Sequence, residues 1–194
     1  EMGANSHIAC NDIFPDREVL PCTTFEGAFK ALENGSAALA VLPVENTVAG
    51  RVADIHRLLP GYNLYIIGEY FMRIRHCLLG LKGASVEGLT HMHSHEIALG
   101  QCRHIINELN LEPVVAADTA GSAREIAELN NPALAAIASP LAAEINGLQI
   151  FKENIEDAKH NTTRFLIMAP EPDDAEPNSG DVITSFIFRW KWFV

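Results

Sequence analysis

Short apolar runs alternate along the chain with segments that have helical periodicity. Each run is built mainly from aliphatic residues, which is typical of a strand buried inside a protein. Alternation of such strands with helices is the pattern of βα units, and it predicts an α/β fold with mainly parallel sheets. The runs that predict strands are 38–44, 64–70, 78–81, 114–117, 134–138 and 165–169.

Helix starts follow several of these strands and are marked by Ser or Thr residues suited to capping a helix N-terminus. At the carboxyl end of a parallel sheet, such hydroxyls and free N–H groups bind anions. Ordinary capping is the alternative for any single one of them. The predicted caps and helices are Thr23 with Glu26 before 25–33, Ser94 before 97–109, Ser122 with Glu125 before 123–129, and Ser139 before Pro140.

Composition and charge narrow the classes of ligand. A hydrophobic fraction of 48% and a charged fraction of 20% are ordinary for a globular protein. The net charge of -11 argues against a nucleic-acid partner, which needs a basic face, and means that local donors must hold any anionic ligand. No apolar run approaches about 20 residues and the start lacks a signal-peptide core, so we expect no membrane partner and a cytoplasmic location.

The cysteines and the two ends of the chain lead to further expectations. The four cysteines include no Cys-x-x-Cys pair, so reduced thiols are expected. The chain begins in a predicted loop, and we expect an initial strand to be missing. Residues 171–180 are a predicted linker, rich in Pro, Asp, Asn and Gly. Residues 182–188 alternate like a strand, with too few residues after the linker for a second domain.

The predicted strand 38–44 leads directly into Glu45, Asn46 and Thr47. A carboxylate, an amide and a hydroxyl at the end of a buried strand cost free energy unless they are hydrogen-bonded or bind a ligand. A structural turn and a functional loop therefore both stay open for this segment.

A second polar segment leads into the strand 165–169 and contains Asn161, Thr162, Thr163 and Arg164. An arginine offers a bidentate fork for a carboxylate, and the neighbouring hydroxyls can donate to a leaving group. A surface ion pair is the alternative interpretation of Arg164.

Alternating histidines at His91, His93 and His95 would share one face of a strand, a spacing that suits a metal. We expect no metal site, because Ser94 is a predicted cap that would turn His95 away and no Cys or carboxylate with ligand spacing stands nearby. The sequence has neither a glycine-rich phosphate loop nor a Gly-x-Ser-x-Gly elbow, so a nucleotide cofactor and that class of hydrolase are not indicated.

Five segments, in order, resemble the motifs of the prephenate dehydratase family, and the resemblance extends over nearly the whole chain up to the linker. The most characteristic motif is Thr163-Arg164-Phe165, which follows Asn161. Any one motif is weak evidence, whereas five in sequence are strong. The other four are 3–7, 43–47 with Gly50, 94–102 beginning with Ser-His, and 118–123.

The resemblance implies two α/β lobes of the periplasmic-binding-protein type with substrate between them. The first lobe would take 1–71 plus 165–170, the second 72–164, and after the linker 171–180 the residues 181–194 would be a remnant of the family's ACT regulatory domain. The implied reaction is loss of water and carbon dioxide from prephenate to give phenylpyruvate. No cofactor is expected, because forming the aromatic ring drives the reaction. A homodimer or larger oligomer is also implied.

Site roles come from the same resemblance. Thr163 is assigned to the leaving hydroxyl, as a hydrogen-bond donor or proton relay. Glu45 is the second catalytic candidate, and it either carries a proton or braces its loop, since a free carboxylate repels a dianion. Arg164 either contacts substrate or points into the first lobe and orders Thr163. The other substrate-binding candidates are Asn46, Thr47, Ser6, Ser94, Thr119, Gly121, Asn161, Thr162 and Phe165, with backbone N–H groups near Ser6 and Gly121.

Three alternatives stay open. An arogenate dehydratase would act on a substrate that has an amino group where prephenate has a keto group. A non-catalytic solute-binding module of the same fold would bind ligand without turnover. A regulatory or interaction protein descended from the enzyme is the third.

Overall fold

A computed structural model describes residues 1–176 and Gly180. The described residues form helices and strands in alternation, which confirms the predicted α/β class. The helices are α1 (Asn5–Ile13), α2 (Phe25–Glu33), α3 (Ala53–Leu58), α4 (Glu96–Gln101), α5 (Arg103–Glu108), α6 (Thr119–Leu129) and α7 (Pro140–Ile145). The strands are β1 (Ala40–Asn46), β2 (Gly50–Arg51), β3 (Tyr65–Arg73), β4 (Cys77–Gly80), β5 (His91–His95), β6 (Glu112–Ala116), β7 (Leu134–Ala138), β8 (Gln149–Glu153) and β9 (Thr162–Ala169).

The chain divides into two compact units. The larger unit contains residues 1–21, 47–49 and 73–162, and the smaller unit contains 22–46, 50–72 and the described residues from 163 onward. The lobe boundaries implied by the family resemblance stay a prediction. The expected strand at 182–188 and the expected ACT remnant lie outside the described residues. Of the expected linker, residues 171–176 contain no helix or strand.

The sheet of the larger unit has the strand order β6-β5-β7-β4-β8. It is buried on both faces: Leu78 and Ile137 belong to one apolar cluster, whereas their chain neighbours Leu79 and Ala136 belong to another. Because successive strand residues face opposite sides, both faces need apolar side chains. This explains why 78–81 and 134–138 are continuous apolar runs rather than alternating ones.

The first 21 residues pack within the larger unit. The Ser139 hydroxyl donates to the Gly3 carbonyl, and Arg124 pairs with Glu1 at 3.0 Å. Gly3 has a φ of +82°, and a Cβ atom there would lie 2.8 Å from the Cα atom of Ala142. Only glycine therefore fits this turn before α1.

The sheet of the smaller unit has the order β2-β1-β9-β3. Leu42 and Val44 of β1 and Leu166 and Met168 of β9 share a core with Phe29. The helices α2 and α3 both contribute to this core, α2 with Leu32 and α3 with Ile55. The long strands β1 and β9 pair in antiparallel fashion and form the centre of this sheet.

The expectation of mainly parallel sheets is wrong. In the smaller unit, β1 is antiparallel to both β2 and β9. In the larger unit, β5 is parallel to β6 and β7, but β4 is antiparallel to β7 and β8. An apolar run indicates that a strand is buried but not in which direction the strand runs. The alternation of strands and helices therefore could not show that β4 is antiparallel to β7 and β8 and that β9 is antiparallel to β1.

Three of the four predicted caps are displaced, including that of α4, where His95 replaces Ser94, and one is confirmed. Helix α2 has its predicted bounds, but Thr24 rather than Thr23 accepts the Gly27 N–H. Helix α6 begins at Thr119 rather than 123, with Asp118 as its cap and Ser122 inside the helix. Ser139 accepts the Ala142 N–H at 3.0 Å ahead of Pro140, as predicted.

The predicted helix 97–109 is broken at Cys102 into α4 and α5. Asp157 stabilises the break from both sides. Its N–H donates to the Gln101 carbonyl at 2.7 Å, and its carboxylate accepts the N–H groups of Arg103 at 3.0 Å and His104 at 3.2 Å. One residue from elsewhere in the chain thus satisfies the end of α4 and the start of α5.

All six predicted strands are present, and the structure adds elements that the pattern missed. Strand β8 has only two apolar residues among five, and β5 is dominated by histidines, so neither forms an apolar run. Helices α1 and α3 are short and carry no side-chain cap. In the described part of the chain, the longest helix has 11 residues, and none could span a membrane.

Candidate functional site

The polar segment that follows the predicted strand 38–44 pairs, in the smaller unit, with the polar segment that leads into the predicted strand 165–169. Strand β1 ends in Glu45 and Asn46, and β9 begins with Thr162 and Thr163. In the antiparallel ladder, Asn46 lies opposite Thr163 and Glu45 lies opposite Arg164. The ends of β1 and β9 therefore bring together the two motifs that the sequence offered separately.

A β-bulge at Val44 decides which side chains share a face. The register shifts between Pro43, opposite Phe165, and Glu45, opposite Arg164, so Val44 is the extra residue. A bulge of one residue reverses the face on which later side chains lie. Asn46 is thereby placed on the face of Thr163 and not on the opposite one.

Asn46 and Thr163 make a direct hydrogen bond on this face. The Nδ2 atom of Asn46 donates to Oγ1 of Thr163 at 2.9 Å. Thr163 is 8% exposed, so its hydroxyl is largely removed from bulk water. A hydroxyl has one proton and two lone pairs, and this bond uses one lone pair. The hydroxyl proton is left for an acceptor on a ligand.

The opposite face of the same strand ends is charged. Glu45 is exposed and has Arg51 and Arg164 as its cross-strand neighbours. Arg164 donates from Nε and from Nη2 to Oε2 of Glu69, each at 2.7 Å, and its guanidinium carbon lies 5.9 Å from the centre of the Phe71 ring. Because neighbouring strand residues face opposite sides, Thr163 and Arg164 do not project together.

The adjoining residues of both segments form a second pair in the larger unit. The Thr47 N–H donates to the Thr162 carbonyl at 2.9 Å, and the Thr162 N–H donates to Oγ1 of Thr47 at 3.0 Å. The Thr47 hydroxyl in turn donates to the His160 carbonyl at 2.7 Å. This hydroxyl bridges two backbone groups, so its proton is already used.

Two of the four candidates on the sheet and helices of the larger unit have hydrogen-bond partners within it. Ser94 is fully buried and donates to the Ile137 carbonyl at 2.7 Å. The N–H of Gly121 donates to Oδ1 of Asp118 at 2.7 Å. Thr119 is the first residue of α6, and Ser6 lies in the first turn of α1, which has no side-chain cap.

Phe165 and Asn161 are both 1% exposed. Phe165 is therefore part of the interior. Asn161 donates from Nδ2 to Oε1 of Gln101 at 3.1 Å, and its carbonyl accepts the Ile74 N–H at 2.8 Å. Their proposed contacts with substrate stay a prediction.

The three alternating histidines all lie in β5, because His95 rather than Ser94 is the cap of α4. The Nδ1 atom of His95 accepts the Ile97 N–H at 3.2 Å, and Nδ1 of His93 lies 3.6 Å from the Glu125 carboxylate. Among the residues that the structure describes, no three His, Cys, Asp or Glu side chains are grouped so as to hold a metal.

A family model for prephenate dehydratase matches residues 1–173 of this sequence. The chain belongs to the prephenate dehydratase family.

The names of two similar proteins describe different activities. A bifunctional N-acyl-homoserine lactone acylase/prephenate dehydratase from Komagataeibacter europaeus is 46% identical over 187 residues, which cover 96% of this chain and 66% of the relative. The chloroplastic arogenate dehydratase/prephenate dehydratase 2 from Arabidopsis thaliana is 42% identical over 170 residues, 88% of this chain and 45% of the relative. This chain thus spans less than two thirds of either protein.

Solved structures of the family have the same fold. The prephenate dehydratase of Arthrobacter aurescens in complex with L-Phe has a TM-score of 0.83 at 28% identity, covering 90% of this chain and 61% of that one. The quorum-quenching acylase GqqA has a TM-score of 0.84 at 47% identity, covering 91% of this chain and 64% of that one.

Sequence reasoning missed Glu69, the partner of Arg164. The signal was a carboxylate within the predicted strand 64–70, where an unpaired charge is costly, and an arginine in another predicted strand. The pair could not be assigned from the sequence because the two residues are 95 positions apart.

The Arg164–Glu69 pair should stabilise this prephenate dehydratase domain. Both side chains are partly buried, at 30% and 27% exposed, so Glu69→Gln should lower the free energy of unfolding by about 1–2 kcal/mol. Glu26→Gln is the matched control, because Glu26 pairs with Lys30 at 2.8 Å on the surface, and it should cause no measurable change. Urea unfolding of the three proteins measures the difference, and equal effects of the two substitutions would contradict the prediction.

Proposed function

We propose that this chain catalyses the dehydration and decarboxylation of prephenate to phenylpyruvate. The observation that carries the proposal is the Asn46–Thr163 hydrogen bond of 2.9 Å, which joins the two family motifs on the neutral face of the strand ends. Membership of the prephenate dehydratase family supports the choice of substrate. We propose the activity and do not transfer it from the relatives, because the chain covers only 66% of the Komagataeibacter protein and 45% of the Arabidopsis protein.

The reaction needs a hydrogen-bond donor and no strong base. The bond between the ring and its carboxylate breaks, and the electron pair enters the ring as carbon dioxide leaves. The bond between the ring and its hydroxyl oxygen breaks with the pair on oxygen, which takes up a proton and leaves as water. One proton is consumed, and phenylpyruvate, carbon dioxide and water are formed.

Thr163 is suited to assist the departing oxygen. Its Oγ1 atom accepts from Asn46, so the O–H group is oriented and the oxygen is less able to accept a second bond from the leaving group. A threonine hydroxyl is a weak acid near neutral pH, so it stabilises the departing oxygen by donating a hydrogen bond or by relaying a proton. An oriented donor of this kind contributes about a hundredfold to a thousandfold to turnover.

Replacing the Thr163 hydroxyl by a methyl group tests this assignment. Thr163→Val keeps the shape and should lower kcat about a hundredfold to a thousandfold, whereas Thr163→Ser should retain most of the activity. Phenylpyruvate formation from prephenate is followed by ultraviolet absorbance, with Thr23→Val, an exposed threonine ahead of α2, as the control. Undiminished turnover by Thr163→Val would remove Thr163 from the mechanism.

A second assay, which follows phenylalanine formation, compares arogenate with prephenate, because dehydration of the amino analogue gives phenylalanine and not phenylpyruvate. The two substrates differ only where a keto group is replaced by an amino group, and some plant relatives carry both substrates in their names. We propose prephenate as the preferred substrate, with a higher kcat/KM than arogenate. Binding of prephenate without any phenylpyruvate would instead indicate a solute-binding module.

Glu45 braces the strand end in this proposal and does not transfer a proton. It lies on the charged face with Arg51 and Arg164, whereas Asn46 and Thr163 lie on the other face. Bracing also avoids placing a negative charge against a dianionic substrate.

The pH dependence of turnover distinguishes the two roles of Glu45. Glu45→Gln should leave the shape of the kcat pH profile unchanged and lower its height less than Thr163→Val does, because a bracing carboxylate is not an essential acid. The profile is measured with prephenate from about pH 4, near the ordinary carboxyl range, to about pH 9. Loss of the acidic limb in the variant would show that Glu45 titrates in the reaction.

A second candidate function is hydrolysis of N-acyl-homoserine lactones at their amide bond. It is favoured by the Komagataeibacter relative, whose name includes this acylase activity and whose alignment with this chain is longer than that of the Arabidopsis relative, 187 residues against 170. The test measures release of the free amine from an N-acyl-homoserine lactone. If a site other than that of Thr163 carries out this hydrolysis, the parent and Thr163→Val should both release the amine. No release above a protein-free blank would exclude it.

Further expectations stay proposals from the family resemblance. We propose that the two units are lobes of the periplasmic-binding-protein type, that no cofactor is used, and that the protein is a homodimer or larger. The cytoplasmic location likewise stays a prediction.

A further inference from the structure

A cluster of buried polar residues lies in the larger unit and takes no part in the Asn46–Thr163 pair. Its members are His76, 3% exposed, Glu156, 8% exposed, and Asn161, 1% exposed, together with the partly buried Gln101. Buried polar groups cost free energy unless they are hydrogen-bonded, so their arrangement is strongly determined.

Gln101 connects His76 to Asn161. Its Oε1 atom lies 2.9 Å from Nε2 of His76 and accepts a hydrogen bond of 3.1 Å from Nδ2 of Asn161. A carboxamide oxygen only accepts, so Nε2 of His76 must carry the hydrogen. The His76 donor and the Asn161 donor together determine which way the Gln101 carboxamide is turned.

Glu156 and Ile155 hold the backbone of His76 in place. The His76 N–H donates to Oε2 of Glu156 at 3.0 Å, the His76 carbonyl accepts the Ile155 N–H at 3.0 Å, and Arg73 lies 3.4 Å from the other Glu156 oxygen. Burial lowers the pKa of His76, against smaller opposing effects of the Gln101 hydrogen bond and the Glu156 charge. The neutral imidazole is therefore the form present at neutral pH.

Asn161 leads directly into the catalytic segment. Its carbonyl accepts the Ile74 N–H at 2.8 Å, and the next residue, Thr162, donates its N–H to Thr47 at 3.0 Å. Thr163 follows at once. The Asn161 side chain is thus the last buried anchor before the residue that assists the leaving hydroxyl.

We propose that His76 is a positioning residue for this reaction: its Nε2–H orients the Gln101 carboxamide, which anchors Asn161 and the segment leading to Thr163. His76 itself contacts no substrate. The proposal rests on the proposed dehydratase function. Small displacements of a reacting group cost up to about a hundredfold in rate, so loss of this anchor should act on kcat more than on KM.

Two polar substitutions separate positioning from general stability. In His76→Gln the amide reaches the place of Nε2 and can still donate to Gln101, whereas in His76→Asn the shorter side chain reaches only the place of Nδ1. We expect His76→Gln to keep kcat within about threefold of the parent and His76→Asn to lower kcat about tenfold to a hundredfold, with KM changed little in both. His104→Gln, at a side chain 84% exposed, is the control and should match the parent.

The side-chain amide resonances of Gln101 and Asn161 supply a readout that does not depend on turnover. In spectra of the full chain labelled with nitrogen-15, they should stay near their parent positions in His76→Gln and shift or broaden in His76→Asn. Equal kcat values and equal spectra for the two variants would overturn the positioning role. A parent protein that does not convert prephenate would refute the proposed function instead, and the spectra alone would then decide whether His76 orients Gln101 and Asn161.

Discussion

The β-bulge at Val44 is the constraint on which the candidate site depends. Without the extra residue, the side chain of Asn46 would lie on the face of Arg164, and Glu45 would lie on the face of Thr163. The bulge reverses this arrangement and separates neutral donors from charged groups across one sheet. A single backbone irregularity therefore decides whether an amide or a carboxylate stands next to the Thr163 hydroxyl.

Hydrogen bonding within the fold limits which polar residues can act on a ligand. Ser94, Thr47 and the N–H of Gly121 all satisfy other groups of the protein, although the sequence suggested each of them as an anion donor near a strand end or a helix start. Thr163 differs, because in the one side-chain hydrogen bond described for it the Oγ1 atom is the acceptor. Hydrogen bonds within the protein thus distinguish hydroxyls that look equivalent in the sequence.

Much of the fold follows from local sequence, and the rest depends on contacts between distant residues. The strands at 134–138 and 165–169 are apolar enough to be recognised alone, and α2 has its predicted bounds. The break between α4 and α5 could not be predicted, because periodicity continues across Cys102 and the cause is Asp157, about fifty residues later along the chain. The predicted direction of the strands was wrong for a similar reason, because β9 pairs with β1, which lies far from it along the chain.

The same distinction holds for the site. Each motif could be found in the sequence, but their pairing joins residues 117 positions apart, and the partner of Arg164 is 95 positions away. The acidic net charge of -11 already implied that a dianion needs local donors. The structure strengthens that requirement, because Arg164 lies on the face opposite Thr163 and its charge is compensated by Glu69. An uncharged face suits a reaction in which negative charge moves from a carboxylate through the ring to a departing oxygen, since a fixed cation at the carboxylate would oppose that movement.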